Sequence, residues 1–189
     1  MGERRGLSRA VVVDTAAGLA DRDGFDALTL GAVAADLRVR PPSLYNHVSG
    51  LDGLRRDLAL RGVSELGERI RDAAVGRAGS DALTALAVAY RAYARERPGL
   101  YRALQRAPDP GDNELAAAAT RLLQPVLAVL RGFGLEGDAP IHAARSLRSA
   151  MHGFVELERL GGFGIDLDLD ASYDWMVATL SAGIVGRRA

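Results

Sequence analysis

The sequence contains no cysteine and no lysine, and only one tryptophan. Without thiols it forms no disulfide, no thiolate metal site and no cysteine nucleophile, so its chemistry is independent of the redox compartment. All 24 basic residues are arginine, which we read as a compositional bias and not as a functional sign. Long apolar runs are missing as well. No stretch approaches the roughly 18 apolar residues of a membrane span, and the short apolar run at 10–13 does not read as a secretory signal. A soluble, cytoplasmic protein with no membrane partner is expected. Excess charge of one sign is also absent, with 24 acidic against 24 basic residues, so the chain as a whole exerts no pull on nucleic acid.

What is present is helical patterning. The 189 residues, 48% of them apolar, suffice for one globular domain or for a small domain fused to a larger one. No convincing strand pattern occurs, and the fold class is all-α with about nine helices. Ser8 caps a first helix to about Asp23, whose Val12, Ala16, Leu19 and Ala20 share a face. Gly24 stops it. Thr29 caps a short second helix with Leu30, Val33, Ala34 and Leu37 inward. Arg40 precedes two prolines and must leave the α region, while Pro41 or Pro42 suits a first helical turn. A third helix, 43–48, therefore places Leu44 and Val48 inward and Ser43, Tyr45, Asn46 and His47 outward or sideways. A long fourth helix follows at about 51–74. Further helices are expected at about 81–96, 98–106, 113–132 (with Pro125 as a kink), 140–160 and 171–185, the last capped by Asp170.

Two short helices joined by a tight turn, braced by a first and followed by a long one, have the form of a helix-turn-helix. The second of such a pair enters the major groove, which is about 12 Å wide, with small and polar residues at its leading end. Charge supports the location. Residues 1–61 hold nine arginines against eight acids, but between Leu37 and Arg61 there are five arginines and two aspartates. At these residues the chain resembles the TetR family of transcriptional regulators. Thr29-Leu30-Gly31-Ala32-Val33-Ala34 is similar to the start of that family's second helix, Gly24-Phe25 to its first turn, and Pro42-Ser43-Leu44-Tyr45-Asn46-His47-Val48 to its recognition helix. The resemblance implies that Ser43 and Asn46 reach base edges while Thr29, Tyr45 and His47 hold phosphates. Pro42 opens the helix, and Arg40 joins the set on charge and position. The chain departs from the family's pattern at Arg38, where glycine is usual, at Val48, where phenylalanine is usual, and at Leu51, where a lysine opens the fourth helix. Arg55 or Arg56 is the candidate replacement for that lysine.

The division implied is a DNA-binding domain at 1–55 and a ligand-binding and dimerisation domain at 56–189. Met151-His152-Gly153-Phe154, followed by Gly161-Gly162-Phe163-Gly164, resembles a TetR C-terminal subclass marked by Trp-His-Gly-Phe, with methionine in the tryptophan's place. The resemblance implies that the last two helices pair with their symmetry mates in a homodimer. Tyr173, Trp175, Met176, Leu180 and Ile184 make the final helix too apolar for a free terminus, although packing on the chain's own core is an alternative. An effector pocket is expected among Tyr90, Tyr93, Tyr101, Leu104, Leu127, Met151, His152 and Phe154, which mix apolar walls with polar tips. The implied activity is that of a repressor released from a pseudo-palindromic double-stranded DNA operator by a small-molecule effector.

The alternative from another class is a helical small-molecule or metal-binding protein, or an enzyme, without DNA binding. His152 and Glu156 stand at a spacing that holds a metal, but no third ligand is evident. The acids Asp166, Asp168 and Asp170 fail as a calcium loop, because Ala171 and Val177 stand where glycine and glutamate are needed. No catalytic residue, metal site or cofactor is expected.

Overall fold

The computed structural model describes residues 6–186 and is all-helical. Among those residues the α-helices are α1 (Arg9–Asp23), α2 (Leu30–Asp36), α3 (Gly50–Ala74), α4 (Gly79–Glu96), α5 (Pro98–Ala103), α6 (Asn113–Gly132), α7 (Ala139–Arg159) and α8 (Leu169–Val185). Two short 3₁₀ helices, Phe25–Ala27 and Pro41–Asn46, complete them. No helix of the described residues is long and apolar enough to cross a membrane.

Local chemistry places several ends where the sequence puts them. The Ser8 hydroxyl accepts from Val11 N–H at 3.3 Å, and the Thr29 hydroxyl from Ala32 N–H at 3.1 Å. Each satisfies one of the orphan donors of a first helical turn. Three expectations are corrected. The segment expected as an α-helix at 43–48 is instead the 3₁₀ helix Pro41–Asn46. Two adjacent prolines at its start contribute no N–H, and the i→i+3 bonds Ser43 N–H to Arg40 O and His47 N–H to Leu44 O carry it, each at 2.9 Å. The helix expected from 81 starts at Gly79, with Ser80 inside it. The last helix is capped by Asp168, not Asp170. The Asp168 carboxylate accepts from Asp170 N–H at 2.8 Å, which leaves the Asp170 carboxylate for two arginines.

The chain divides into two compact units. One holds the residues up to Glu65 together with Glu96–Ala118; the other holds Leu66–Arg95 and Ala119 onward. In the first, α1 packs on α2 and on α5, and α2 packs on the 3₁₀ helix Pro41–Asn46. Val12, Ala16, Val33, Leu44, Leu54, Leu58 and Leu100 are buried at its core. Two glycines let backbones meet there. A Cβ on Gly99 would lie 2.2 Å from Ala20 C of α1, and one on Gly62 of α3 would lie 2.7 Å from Leu100 O of α5. Asp21 closes the junction, accepting from Gly99 N–H (2.8 Å), Leu100 N–H (3.2 Å) and Arg97 Nε (2.7 Å).

The second unit has two apolar clusters, one around Leu83, Leu127, Leu130, Phe133, Leu147 and Ile184, the other around Ala87, Phe154, Tyr173 and Val177. A polar node lies beside the second. Buried Arg91 donates to Glu158 (2.6 and 3.1 Å) and lies against both Phe154 and Tyr173, its guanidinium carbon 5.2 and 4.7 Å from their ring centroids, while the two rings touch each other edge to face at 5.0 Å. Arg95 also donates to Glu158 at 2.6 Å, and Asp170 pairs with both arginines. The Tyr173 hydroxyl donates to Ala87 O at 2.8 Å, and burial raises its pKa. Of the five residues expected to make α8 too apolar for a free terminus, Tyr173 and Ile184 are buried and Met176 and Leu180 half-buried. Trp175 stays 72% exposed.

Candidate nucleic-acid interface

The approach to the interface is built by a helix ending. Beyond Asp36, Arg38 N–H donates to Ala35 O (3.1 Å) and Val39 N–H to Ala34 O (2.9 Å). This pair of bonds is the Schellman cap, and it places its left-handed residue at Arg38. Arg38 has a φ of +56°, the one positive value on a non-glycine among the described residues. The conformation costs an ordinary L-residue roughly 1–2 kcal/mol. Arg40 then runs extended at φ −78°, ψ 140°, as a following proline demands.

From there Pro41–Asn46 turns its polar side outward. Leu44 is 0% and Val48 6% exposed, anchoring the segment beneath, while Tyr45 stands 63% exposed. Pro41, Pro42 and Asn46 are also exposed, and Ser43 and His47 half-exposed. Thr29, at the head of α2, is exposed and keeps its hydroxyl proton available while the oxygen caps the helix. The seven residues expected to contact DNA thus all lie in the first unit, each at least half-exposed.

The arginines of this unit divide in two. Arg9 is paired with Asp57 (2.5 and 2.9 Å), Arg22 with Asp23 (3.0 Å) and Arg97 with Asp21 (2.7 Å). Arg61 is paired with Asp14 and Glu65, and Arg102 with Asp26 at 3.3 Å. Arg56 donates to Asp112 (2.6 and 2.7 Å) and Glu114 (2.9 Å), which raises its pKa and lowers that of Asp112. Arg55 lies over the Phe25 ring at 5.7 Å, its Nε buried without a hydrogen-bond partner. Both candidates for the missing lysine contact are therefore engaged within the protein. Arg38, Arg40 and Arg106 are exposed, and none of the three has a carboxylate partner among the described residues; of these, Arg38 and Arg40 stand beside Pro41–Asn46 in sequence.

Comparison with known proteins bears on both units. Residues 83–180 match the tetracyclin repressor-like C-terminal domain. The chain is 43% identical over 182 residues to Rv0681, an HTH-type transcriptional regulator of Mycobacterium tuberculosis, covering 96% of this chain and 83% of that protein. It is 36% identical to the HTH-type transcriptional regulator YobS of Bacillus subtilis, covering 98% and 96%. The chain belongs to the TetR family. A TetR variant of Acinetobacter baumannii, solved in complex with minocycline, shares the fold with a TM-score of 0.73 at 22% identity, covering 97% of this chain and 99% of that one.

In this TetR-family transcriptional regulator Pro42 and Tyr45 lie on the outward side of Pro41–Asn46 and Leu44 beneath it. The residues suggested as an effector pocket fall in both units. Tyr101 and Leu104 are buried in the unit of Pro41–Asn46. Tyr90, Tyr93, Leu127 and Phe154 are buried in the other unit, with Met151 and His152 half-buried there. A shallow, open depression on the exposed 163–169 segment of the second unit is lined by Phe163, Gly164, Ile165, Asp166, Leu167 and Leu169. Among the described residues no three His, Asp or Glu side chains group to hold a metal. Arg38 counts among the five arginines between Leu37 and Arg61, and it stands outside the set of expected DNA contacts as a departure from the family's glycine. The signal available was its place two residues before Arg40, with no acid between them.

Proposed function

We propose that this TetR-family regulator is a repressor that binds a pseudo-palindromic operator as a homodimer and is released by a small-molecule effector. The observation that carries the reading is the outward segment Pro41–Asn46, anchored by Leu44 and Val48 and preceded by the exposed, unpaired Arg40. Residues 1–55 form the reading head in this account. Ser43 and Asn46 address base edges, Pro42 shapes the leading turn, and Thr29, Arg40, Tyr45 and His47 hold phosphates. Residues 56–189 bind the effector and the second subunit. Two heads about 34–36 Å apart read two half-sites, and an effector that prefers a mis-spaced pair lowers DNA affinity by its differential affinity for the two states.

The test is a selection of bound sequences from random duplex DNA, followed by titration of the selected operator. Tyr45→Ala with His47→Ala is expected to weaken operator binding about 100-fold, since each charge-assisted hydrogen bond to phosphate is worth roughly 1.5–3 kcal/mol. Both residues lie outside the buried core, so circular dichroism of the variant stays at the wild-type value. Retained operator affinity would remove these residues from the interface.

For the homodimer, the outward faces of α7 and α8 support pairing. Ser149, Gly153, Leu157 and Leu160 recur at helical spacing on one, and Ala171, Trp175, Ala178 and Ala182 on the other, all exposed. Homodimer interfaces are of the order of 2,000 Å², and a charge at the centre of one is left without water or partner. Trp175→Glu is expected to shift sedimentation from dimer to monomer at about 1 μM and to weaken operator binding. A dimer of undiminished affinity would place the pairing surface elsewhere.

A further inference from the structure

We infer that Arg38 is a second phosphate-gripping residue of the DNA interface, a guanidinium kept on the turn before Pro41–Asn46 in spite of the backbone conformation it must adopt there. The inference rests on the DNA-binding reading above and adds a contact to it. Among the described residues, eight other positions have positive φ, and glycine occupies every one. Arg38 alone takes that conformation with a side chain attached.

Among the described residues nothing compensates for that choice. The Arg38 side chain has no ion pair, hydrogen bond or ring contact with any of them, and it stands exposed. Arg9, Arg22, Arg56, Arg61, Arg97 and Arg102 of the same unit are each tied to a carboxylate. Strain held without internal compensation concentrates at sites where function uses it.

Its mounting suits the task. The two cap bonds, Arg38 N–H to Ala35 O and Val39 N–H to Ala34 O, fix the backbone from which the side chain departs. Two residues on, Arg40 is a second exposed guanidinium without a carboxylate partner among the described residues, and Pro41 opens the outward segment immediately after it. A planar guanidinium with five N–H donors matches phosphate oxygens bidentately, and such contacts fix a reading head on the duplex without reading its sequence. A sequence-independent grip next to a base-reading segment is what these observations assign to Arg38.

The experiment compares wild type, Arg38→Gly and Arg38→Lys by fluorescence anisotropy. The probes are a selected operator duplex and a random-sequence duplex of about 30 base pairs, each titrated across a salt series. For each Arg38 that touches a phosphate, Arg38→Gly is expected to lower affinity about fivefold at ~0.15 M salt and about fifteenfold at ~0.05 M, and to reduce the slope of log affinity against log salt by about 0.9. The loss is the same on both duplexes. Arg38→Lys keeps the slope because it keeps the charge. The melting temperature of Arg38→Gly is expected to equal or exceed that of wild type, since glycine adopts the left-handed conformation without strain. Unchanged affinity and slope in Arg38→Gly, or a lysine variant that loses as much as glycine, would overturn the assignment. If Arg38→Gly is unchanged while the Tyr45 and His47 substitutions release the operator, only the role of Arg38 fails. A wild-type protein that binds neither duplex overturns this inference and the DNA-binding reading together.

Discussion

Replacing Gly99 by alanine is expected to destabilise the protein by about 3 kcal/mol, which lowers its melting temperature by roughly 6–12 °C in a chain of this length. A methyl group there would stand 2.2 Å from the carbonyl carbon of Ala20 and 2.4 Å from its oxygen. Both belong to backbone and cannot swing aside. Either α1 or α5 must move, and α5 is held from a second direction, because Leu100 O sits where a Cβ on Gly62 would come within 2.7 Å. Moving α5 also pulls Gly99 N–H and Leu100 N–H away from the Asp21 carboxylate, leaving donors of a first helical turn unsatisfied. The packing of α1 on α2, and of α2 on the 3₁₀ helix Pro41–Asn46, continues from this junction within the same unit. DNA affinity is therefore expected to fall along with stability, whereas Arg38→Gly lowers affinity alone. Thermal denaturation followed by circular dichroism measures the first effect, and operator titration below the transition measures the second. A Gly99→Ala protein that melts within about 1 °C of wild type would show that α1 and α5 are not held at this distance.

How much of this was legible in the sequence depends on the range of the interaction. Ser8 and Thr29 act on residues three positions away, so their caps followed from local spacing. Leu44 and Val48 are four apart, and their burial followed from helical periodicity even though the segment is wound as a 3₁₀ helix. The winding itself was harder to read, because it depends on how two adjacent prolines compete with a six-residue ladder. Asp168 and Asp170 both stand near the start of α8, and either makes an acceptable cap in isolation. The choice fell to Asp168 while Asp170 pairs with Arg91 and Arg95, far away in sequence. Long-range pairings of this kind leave no periodic trace. Arg56 meets Asp112 across 56 residues and Arg91 meets Glu158 across 67, and the first removed Arg56 from the arginines available to DNA. Gly62 and Gly99 look like any other helical glycine until the facing backbone is known. The outward face of Pro41–Asn46 was legible because its anchors and its exposed residues lie within eight consecutive positions. The division that puts Tyr101 and Leu104 in one compact unit and Tyr90, Tyr93 and Phe154 in the other has no such local signal.

Substituting Arg91 by alanine is expected to remove about 3–5 kcal/mol of stability, as is usual when one partner of a buried ion pair is deleted. The side chains of Arg91 and Glu158 are 8% and 13% exposed, so Glu158 would keep its charge with only the half-exposed Arg95 beside it. The contact of the guanidinium with the Phe154 and Tyr173 rings would be lost as well. Acid titration separates the electrostatic part from the packing part. Hydrogen bonds from Arg91 and then Arg95 hold the Glu158 carboxyl at about 2, below its ordinary 4.5, against the opposing effect of burial. A carboxylate whose folded pKa is depressed contributes stability above its unfolded pKa and loses it as pH falls through the folded value. For Glu158 that window runs from about 4.5 down to about 2, and the contribution is of the order of 3 kcal/mol. Urea denaturation at stepped pH should therefore show wild type losing stability through this window, while Arg91→Ala, already lacking the main donor, loses less. The gap between the two proteins narrows toward pH 2, and what remains there measures the packing of the guanidinium against the two rings. The paired substitution Arg91→Met with Glu158→Gln removes both charges while filling most of the volume. It is expected to recover part of the loss and to abolish the pH dependence that belongs to Glu158. If Arg91→Ala tracked wild type in parallel from neutral pH to pH 2, the electrostatic role of Arg91 at Glu158 would be refuted, leaving only its packing against Phe154 and Tyr173.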